Sequence, residues 1–482
     1  MLTRANYTDV GVLEVLTTPG FSAPRGSEVP ALLWRTRQGT ALDTLIRLFL
    51  VGVPTEVEAT RRALHPMTLE QWAAAGLLAL RQGMAVALVK LLPFHGLLLA
   101  FDLFNQRRTN VRTDFVMGIG SSTLTLANLA IRRPARYTLD LGTGCGTQAF
   151  LAAPHSEQVY AVDRNPRACG FAAFNARLND FANIACYEGD LFEPVQSQQF
   201  DLVLSNPPFV ISPASHYLFR DSGMRGDEIC QKIVRQAPQV LAEGGYCQIL
   251  CNWAHIAGER WQDRLATWFE GTGCDAWILR SETQDASTYA TTWIRETEAD
   301  DPGRVGQLYE EWMAYYERER IEAMSAGLIT MRRRGGSAPW FRTDDSPARM
   351  LGPCGDDVLR VFAAQDFLAT LPDNQTLLTA QLSVAPQVRW EQHCEPAEQG
   401  WQVITSHVRL ARGLTYSGDI DPYVANLVAR CNGQRPLHAL LADVAATLDS
   451  PIERIVPVCL EAVRRLIAYG FLLPAHARAG EE

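Results

Sequence analysis

Lysine is all but missing from this chain of 482 residues: Lys90 and Lys232 are the only two, and nearly every other cation is an arginine. The bias most simply reflects GC-rich coding and carries no functional weight. Lys+Arg total 44 against 53 Asp+Glu, a net charge of −9, so the basic field of a non-specific nucleic-acid coat is missing and only a local basic patch has room. The 11 cysteines, scattered from Cys145 to Cys459, make no C-x-x-C pair, and no histidines cluster at ligand spacing. Neither a metal site nor a disulfide framework is expected. Met1 to Tyr7 lacks a basic stretch followed by an apolar one, so no secretory leader is expected and the reducing cytoplasm is the natural setting. No membrane span is expected either, because the most apolar stretch, Gly76 to Phe101, is interrupted by Arg81, Lys90, Pro93 and His95. What remains is the composition of a packed globular protein, 47% hydrophobic and 20% charged, long enough for two to four domains.

Residues 1–112 open with the loop signature Thr18-Pro19-Gly20-Phe21-Ser22. The spacing Leu42, Leu45, Ile46, Leu48, Phe49 predicts a helix, Val53-Pro54-Thr55-Glu56 a second helix start and Met67-Thr68-Leu69-Glu70 a third. Strand-like runs come next, over Leu77 to Leu80, Met84 to Leu92 and Gly96 to Phe101. Three helices and a hairpin resemble a winged-helix domain, either a module for nucleic acid or a partner, or a structural cap on the neighbouring domain. Residues 113–334 alternate strand and helix signals, which implies a parallel sheet covered on both faces. Strands are predicted near Tyr137–Asp140, Gln158–Val162, Ala185–Tyr187, Phe200–Leu204, Tyr246–Cys251 and Ala276–Leu279, then a helix near Val305–Glu319 and a last strand near Glu322–Arg332. Residues 335–482, introduced by Gly335-Gly336-Ser337-Ala338-Pro339, form a separate α+β module. Helices over Leu437–Leu448 and Ile452–Tyr469 and a closing strand before Pro474 make it a second winged-helix-like candidate.

The chemistry concentrates at the ends of the predicted strands. The first runs into Asp140-Leu141-Gly142-Thr143-Gly144-Cys145-Gly146-Thr147, whose G-x-G-x-G spacing departs from the G-x-G-x-x-G of a dinucleotide site. NAD is disfavoured; the turn suits a nucleoside carrying an amino acid, with Asp140 offering negative charge to an ammonium group. Asp163 ends the second strand about 20 positions on, where an acid binds a ribose diol or caps the next helix, roles that can coexist. Asp190, after the third strand, can accept from an adenine amino group while Leu191 or Phe192 covers the ring; alone it would read as a turn residue. The fourth strand ends in Ser205-Asn206-Pro207-Pro208-Phe209. Two prolines remove two backbone donors, so the Asn206 side-chain oxygen and the Pro207 carbonyl present acceptors to a planar NH₂ group, with Phe209 stacking on it.

Taken in order, these motifs resemble class I S-adenosylmethionine-dependent methyltransferases, in the amino-group branch that holds release-factor glutamine, rRNA guanine-N2 and adenine-N6 enzymes. The resemblance covers residues 113–334, somewhat under half of the chain. It implies an α/β, Rossmann-like seven-stranded sheet whose last strand is antiparallel, and S-adenosyl-L-methionine as cofactor. Cofactor-binding roles carry over to Asp140, Gly142, Gly144, Gly146, Asp163, Asp190 and Leu191, and to Thr123 in the segment that covers the cofactor. Catalytic roles carry over to Asn206, Pro207 and Phe209. Ser222 to Asp227 and Leu241 to Gly245 look most like the glutamine-methylating pattern, whereas Phe209 in place of tyrosine is more frequent among rRNA enzymes. The flanks do not look like the helical bundle of the release-factor enzymes. The expected activity is therefore N-methylation of a macromolecule, either protein glutamine or an RNA or DNA base. The competing reading, a non-catalytic nucleic-acid or partner-binding protein on a methyltransferase scaffold, is opposed by the intact Asn206–Phe209 turn.

Overall fold

The structure, a computed structural model, describes residues 2–17, 28–103, 112–213, 217–298, 302–335, 338–397 and 400–475. The expected leading loop Thr18–Ser22 lies outside them, as do Gly336 and Ser337 of the expected boundary loop. Two compact units form: Met1–Ala127 with Arg133–Asp344, and Asn128–Arg132 with Asp345–Glu482.

The first unit is built on one large sheet with strands β1 (Ala135–Leu141), β2 (Ser156–Asp163), β3 (Ile184–Glu188), β4 (Phe200–Ser205), β5 (Leu241–Ile256), β6 (Cys274–Asp285), β7 (Ile321–Arg333) and β8 (Phe341–Asp345). Their spatial order is β8-β6-β7-β5-β4-β1-β2-β3. The strands from β3 to β5 pair in parallel, whereas β7 runs antiparallel between β5 and β6, as expected of the last strand of the resemblance. The sheet has eight strands, one more than the seven expected. The extra strand is a half-buried edge with no alternating apolar pattern to announce it. It is joined to β6 through Ala276 N–H donating to Trp340 O (2.8 Å), Trp340 N–H to Asp275 Oδ1 (3.1 Å) and Trp277 Nε1–H to Asp344 Oδ2 (2.7 Å). The central strands are apolar on both faces, with Val159, Ala161, Val162, Val203 and Leu204 all buried, as a parallel sheet covered by helices requires.

Those helices are α1 (Ser121–Leu129), α2 (Thr147–Ala152), α3 (Pro166–Leu178), α4 (Glu228–Val240), α5 (Trp261–Phe269), α6 (Ala286–Glu298) and α7 (Pro302–Arg318). In α3, Pro166 takes the first helical position and the Asn165 side chain accepts from Arg167 N–H at 3.0 Å, so Asn165 is the cap rather than Asp163. Helix α4 buries Ile229, Cys230, Ile233, Val234, Ala237 and Val240, a single apolar stripe. Helix α6 escapes the sequence reading because it is rich in Ser and Thr. Thr291 and Thr292 bond back to the carbonyls four residues earlier, and burial of Tyr289, Ala290 and Ile294 supplies the support that propensity lacks.

The N-terminal segment belongs to the same unit. It has helices Asp9–Leu16, Val29–Arg35, Ala41–Leu45, Val57–Leu64 and Leu69–Ala74. The second expected helix start, Val53 to Glu56, leads into the helix Val57–Leu64 with Glu56 as its N-cap, and Thr55–Glu56 also forms a two-residue strand. That strand pairs with Met84–Ala87, which pairs with Leu78–Arg81, and a further hairpin joins Val89–Phe94 to Leu97–Asp102. The hairpin docks on α3 through two asparagines that act as a strand edge. Fully buried Asn175 accepts from Ala100 N–H (2.8 Å) and donates to the carbonyls of Ala100 and Cys145 (both 2.9 Å). Asn179 pairs in the same way with both backbone groups of Leu98. Phe49, Trp72 and Leu99 share one apolar cluster with Phe150, Ala168 and Ala176 of the sheet's helices.

In the second unit, helices Gly355–Ala369, Leu437–Thr447 and Ile452–Ala468 pack with a three-stranded sheet of Asn432–Pro436, Gln381–Val384 and Leu472–Pro474. A long ribbon, Val388–Ala397 paired with Gly400–Leu410, is an element the sequence reading did not anticipate. All eleven cysteines are free thiols. Among the described residues no helix is long and apolar enough to cross a membrane, and no cluster of His, Cys, Asp and Glu could hold a metal ion.

Asn175→Ala would strip partners from three backbone groups. We expect it to destabilise the first unit by about 3–9 kcal/mol, at ~1–3 kcal/mol for each of the three buried groups left unpaired. Faster hydrogen exchange at the Ala100 amide is the direct readout, and unchanged protection there would contradict the bridging role.

Candidate functional site

The strand order reverses between β1 and β4, and in open α/β sheets the crevice beyond the carboxyl ends at such a point is where ligands bind. A cavity of about 430 Å³ lies there. Ten of the eleven residues singled out from the sequence line it: Thr123, Asp140, Gly142, Gly144, Asp163, Asp190, Leu191, Asn206, Pro207 and Phe209. Gly146 does not. It opens α2 at φ +94°, and a Cβ there would stand 2.5 Å from the Phe150 ring and 3.4 Å from Ala172 Cα, so its glycine serves the packing of helix on helix.

The glycine turn is strung between two acids. Gly142 and Thr143 N–H both donate to Val162 O, at 2.8 and 3.0 Å, and Gly144 N–H donates to Asp163 Oδ2 at 2.9 Å. Gly144 sits at φ +57°, and a Cβ there would touch nothing within 4 Å, so its open side faces the cavity. The other oxygen of Asp163 accepts from Asn165 N–H at 2.9 Å. Asp140, 1% exposed, accepts through Oδ2 from Thr143 Oγ1–H (2.7 Å) and Ala149 N–H (3.0 Å), while Oδ1 has no protein partner. Burial pushes the Asp140 carboxyl up to about 6 against the pull of those two hydrogen bonds, and the nearby charge of Asp163 adds to the rise. Burial raises Asp163 as well.

At the far end Asp190 is paired with Lys232 Nζ at 3.3 Å. Leu191 holds a left-handed φ of +47°, a conformation that costs a side chain and tends to persist where the surroundings impose it. Thr123 Oγ1 accepts from Gly120 N–H at 3.3 Å, closing the first turn of α1, and its carbonyl accepts from Gln148 Nε2 at 2.9 Å.

The Asn206–Phe209 turn abuts the glycine turn. A Cβ on Gly142 would lie 3.8 Å from Asn206 O, and Ser205 Oγ–H donates to Leu141 O at 2.8 Å, stitching the ends of β4 and β1 together. Asn206 Nδ2 donates to Ser122 Oγ at 3.3 Å, which leaves Oδ1 to the cavity. Phe209 meets Trp293 edge to face, with centroids 6.4 Å apart and planes at 74°. It also pairs with Asp221, whose carboxylate is gripped by Arg220 (2.7 and 2.9 Å) and accepts from Ser212 Oγ–H. Phe115, Tyr217, Phe219 and Trp293 also line the cavity. Phe115 opens the segment, Phe115 to Thr123, that the resemblance places over the cofactor; the sequence reading missed the other three because none lies in a strand-end motif, and Tyr217 and Phe219, closely following Phe209, were the one available signal.

Three family models match the chain. Residues 116–270 match the methyltransferase small domain, and residues 4–88 and 359–474 match two domains of unknown function. A Methanocaldococcus jannaschii protein named for N5-glutamine methylation is 35% identical over 147 residues, 29% of this chain and 72% of that protein. The chain belongs to this methyltransferase family. A release factor glutamine methyltransferase of Geobacter sulfurreducens is 35% identical over 143 residues, 26% of this chain and 50% of that one. A tRNA1(Val) (adenine(37)-N6)-methyltransferase of Actinobacillus pleuropneumoniae is 34% identical over 134 residues, 27% and 57%. The methyltransferase thus spans only about half the length of these bacterial relatives. S-Adenosylmethionine is the cofactor of the family, and the cavity fits it: about 430 Å³, a buried and a half-buried carboxylate at adjoining strand ends, and a glycine whose side-chain position is open.

A ligand cation in this methyltransferase gains from Asp140 only where the carboxylate is ionised. Affinity for S-adenosylhomocysteine, which keeps the ammonium group, is expected to rise as pH climbs from acid through about 6 and to level off beyond it, and Asp140→Asn is expected to flatten the curve. For folding the sign is opposite. A carboxyl raised above its unfolded value of about 4 adds stability at low pH that fades as pH climbs through about 6. Calorimetry across that range tests the first statement; a flat wild-type curve would contradict it.

Proposed function

We propose that this methyltransferase transfers a methyl group from S-adenosylmethionine to a planar amide or exocyclic amino nitrogen of a macromolecule, a protein glutamine or an RNA or DNA base. The observation that carries the reading is the contact between the two turns: the acceptor-rich Asn206-Pro207-Pro208 segment stands against the glycine turn with Asn206 Oδ1 unpartnered. The names of the relatives, which specify glutamine and adenine nitrogens, agree with it. S-Adenosylmethionine, when bound, supplies a sulfonium methyl open to attack by nitrogen. Asp140, Asp163, Asp190, Thr123, Leu191, Gly142 and Gly144 are the residues proposed to hold it, with Gly146 supporting the turn from behind.

Asn206 Oδ1 and Pro207 O would accept the two N–H donors of the substrate NH₂ group, fixing the nitrogen and aiming its lone pair, while Phe209 covers the flat group that bears it. Neither has to remove a proton beforehand, since a nitrogen that gains a substituent and positive charge releases its proton readily. Positioning of this kind can supply ~7–11 kcal/mol of a barrier. We further read residues 1–112 as winged-helix-like, 113–334 as the catalytic module and 335–482 as a C-terminal α+β module. Supporting the first assignment, the order from Ala41 is helix, strand, helix, helix, strand, strand, with the first strand beside the last. A cytoplasmic setting accords with eleven free thiols.

Incubation with methyl-labelled S-adenosylmethionine and fractionated cell extract should place label in protein, RNA or DNA. A steep loss of labelling with salt would mark a nucleic-acid substrate. Label that enters no macromolecule would overturn the proposal. Asn206→Ala should lower turnover by ~10²-fold while leaving cofactor affinity nearly unchanged, as loss of one positioning hydrogen bond does. Asp163→Ala should instead weaken cofactor affinity by about 1.5–3 kcal/mol, the worth of hydrogen bonds to a charged group. Equal effects of the two substitutions on cofactor affinity would contradict this division of labour.

A further inference from the structure

Asp102, the last residue of the hairpin strand Leu97–Asp102, binds both backbone groups of Val116. Its N–H donates to Val116 O at 3.2 Å, and its Oδ2 accepts from Val116 N–H at 2.8 Å. Oδ1 of the same carboxylate, whose side chain is 13% exposed, pairs with Arg167 in the first turn of α3. The preceding residue adds a further contact. A Cβ on Gly118 would stand 2.2 Å from the Phe101 ring, so the Gly118 backbone lies directly on that ring. Hydrogen bonds that involve an ionised acceptor are roughly twice as strong as neutral ones, which makes the carboxylate the stronger half of the clamp.

What the clamp holds is one wall of the cavity. Val116, Met117, Gly118 and Gly120 all line it, and residues 115–120 form neither helix nor strand. A segment without a ladder of its own takes its position from its tethers. Val116 is 2% exposed, so release of the clamp would leave both its backbone groups to be satisfied by water. Asp102 is not among the residues that border the cavity, and its effect on a ligand passes through Val116. Covering segments of this kind set the rate at which bound ligand leaves many enzymes. We infer that Asp102 is a positioning residue for the cofactor of this methyltransferase: its clamp on Val116 holds the covering segment against the cavity and so governs how fast bound cofactor escapes. Asp102 falls between the stretches 4–88 and 116–270, so neither family match includes it. The inference rests on the cofactor reading given above and adds to it a residue that touches no ligand.

The test is the rate at which S-adenosylhomocysteine leaves the full chain, read by surface plasmon resonance. Asp102→Ala should raise that rate about tenfold, the scale of one hydrogen bond to a charged group. Asp102→Asn keeps an oxygen for the Val116 amide and should stay closer to the wild-type rate than to that of Asp102→Ala. A merely structural role would lower the fraction of molecules that bind and leave the rate of escape unchanged; that result overturns the inference. Equal acceleration by both substitutions overturns it as well, because the ion pair with Arg167 would then be the contact that matters. Hydrogen exchange on the wild-type protein needs no variant to fold. The Val116 amide should be protected in the complex, and exchange there at the rate of an unstructured chain overturns the inference. A wild-type chain that binds no S-adenosylhomocysteine removes the cofactor reading itself, and this inference with it.

Discussion

One hydrogen bond, from the amide of Gly144 to the carboxylate of Asp163, sets the shape of the cavity floor. It draws the glycine turn of β1 onto the end of β2, where Val162 O already holds the two preceding amides. The second oxygen of the same carboxylate takes the Asn165 amide at the start of α3. Across the turn Asp140 holds Thr143 and Ala149. The loop is thus gripped by two acids, one buried and one half-buried, and desolvation makes the charge of each harder to keep. Backbone donors meet only part of that cost. A site built this way is electrostatically incomplete until something positive enters it, and that asymmetry favours a cationic nucleoside over a pyrophosphate, which would meet like charge at both ends.

The opposite wall is built from acceptors too, yet neutral ones. Ser205 fixes the end of β4 to β1, Ser122 occupies the amide nitrogen of Asn206, and the two prolines contribute no N–H. Rigidity comes from farther back. Phe209 is paired to Asp221, and Asp221 is locked by the buried Arg220 guanidinium, itself over the rings of Tyr217 and Trp312. Such a pair is a poor source of stability but a good source of fixed geometry, because either partner alone would be a buried unpaired charge. A wall of this kind is suited to positioning, for which stiffness matters more than acid or base strength.

Strand ends were legible from sequence because their chemistry is local. Asp140, Gly142, Gly144, Asp163, Asp190 and Asn206 each follow an apolar run, and the parallel topology then gathers them at one edge whatever the loops do. Residues brought in from elsewhere were not legible. Trp293 rides on α6, a Ser/Thr-rich helix that exists only because its inner face is buried. The eighth strand is equally silent, since it is recruited by Asp275 and Trp277 rather than by its own hydrophobicity. Gly146 shows the converse: a glycine in a ligand-binding motif that is there for Phe150 and Ala172.

The N-terminal segment is joined to the cavity by polar contacts as well as by a shared core. The hairpin Val89–Asp102 lies on α3 through Asn175 and Asn179, and its last residue, Asp102, pairs with Arg167 in the first turn of that helix. Asn165, which caps α3 and lines the cavity, also donates to the carbonyl of Asp114, just before the covering segment Phe115 to Thr123. The hairpin and the covering segment therefore both meet the first turn of α3, one through Arg167 and the other through Asn165. A displacement of the hairpin would act on the cavity through the start of that helix. Within the first unit this makes the hairpin Val89–Asp102 part of the frame of the cavity, and a substrate-recognition role for it would be coupled to the site mechanically rather than by tethering.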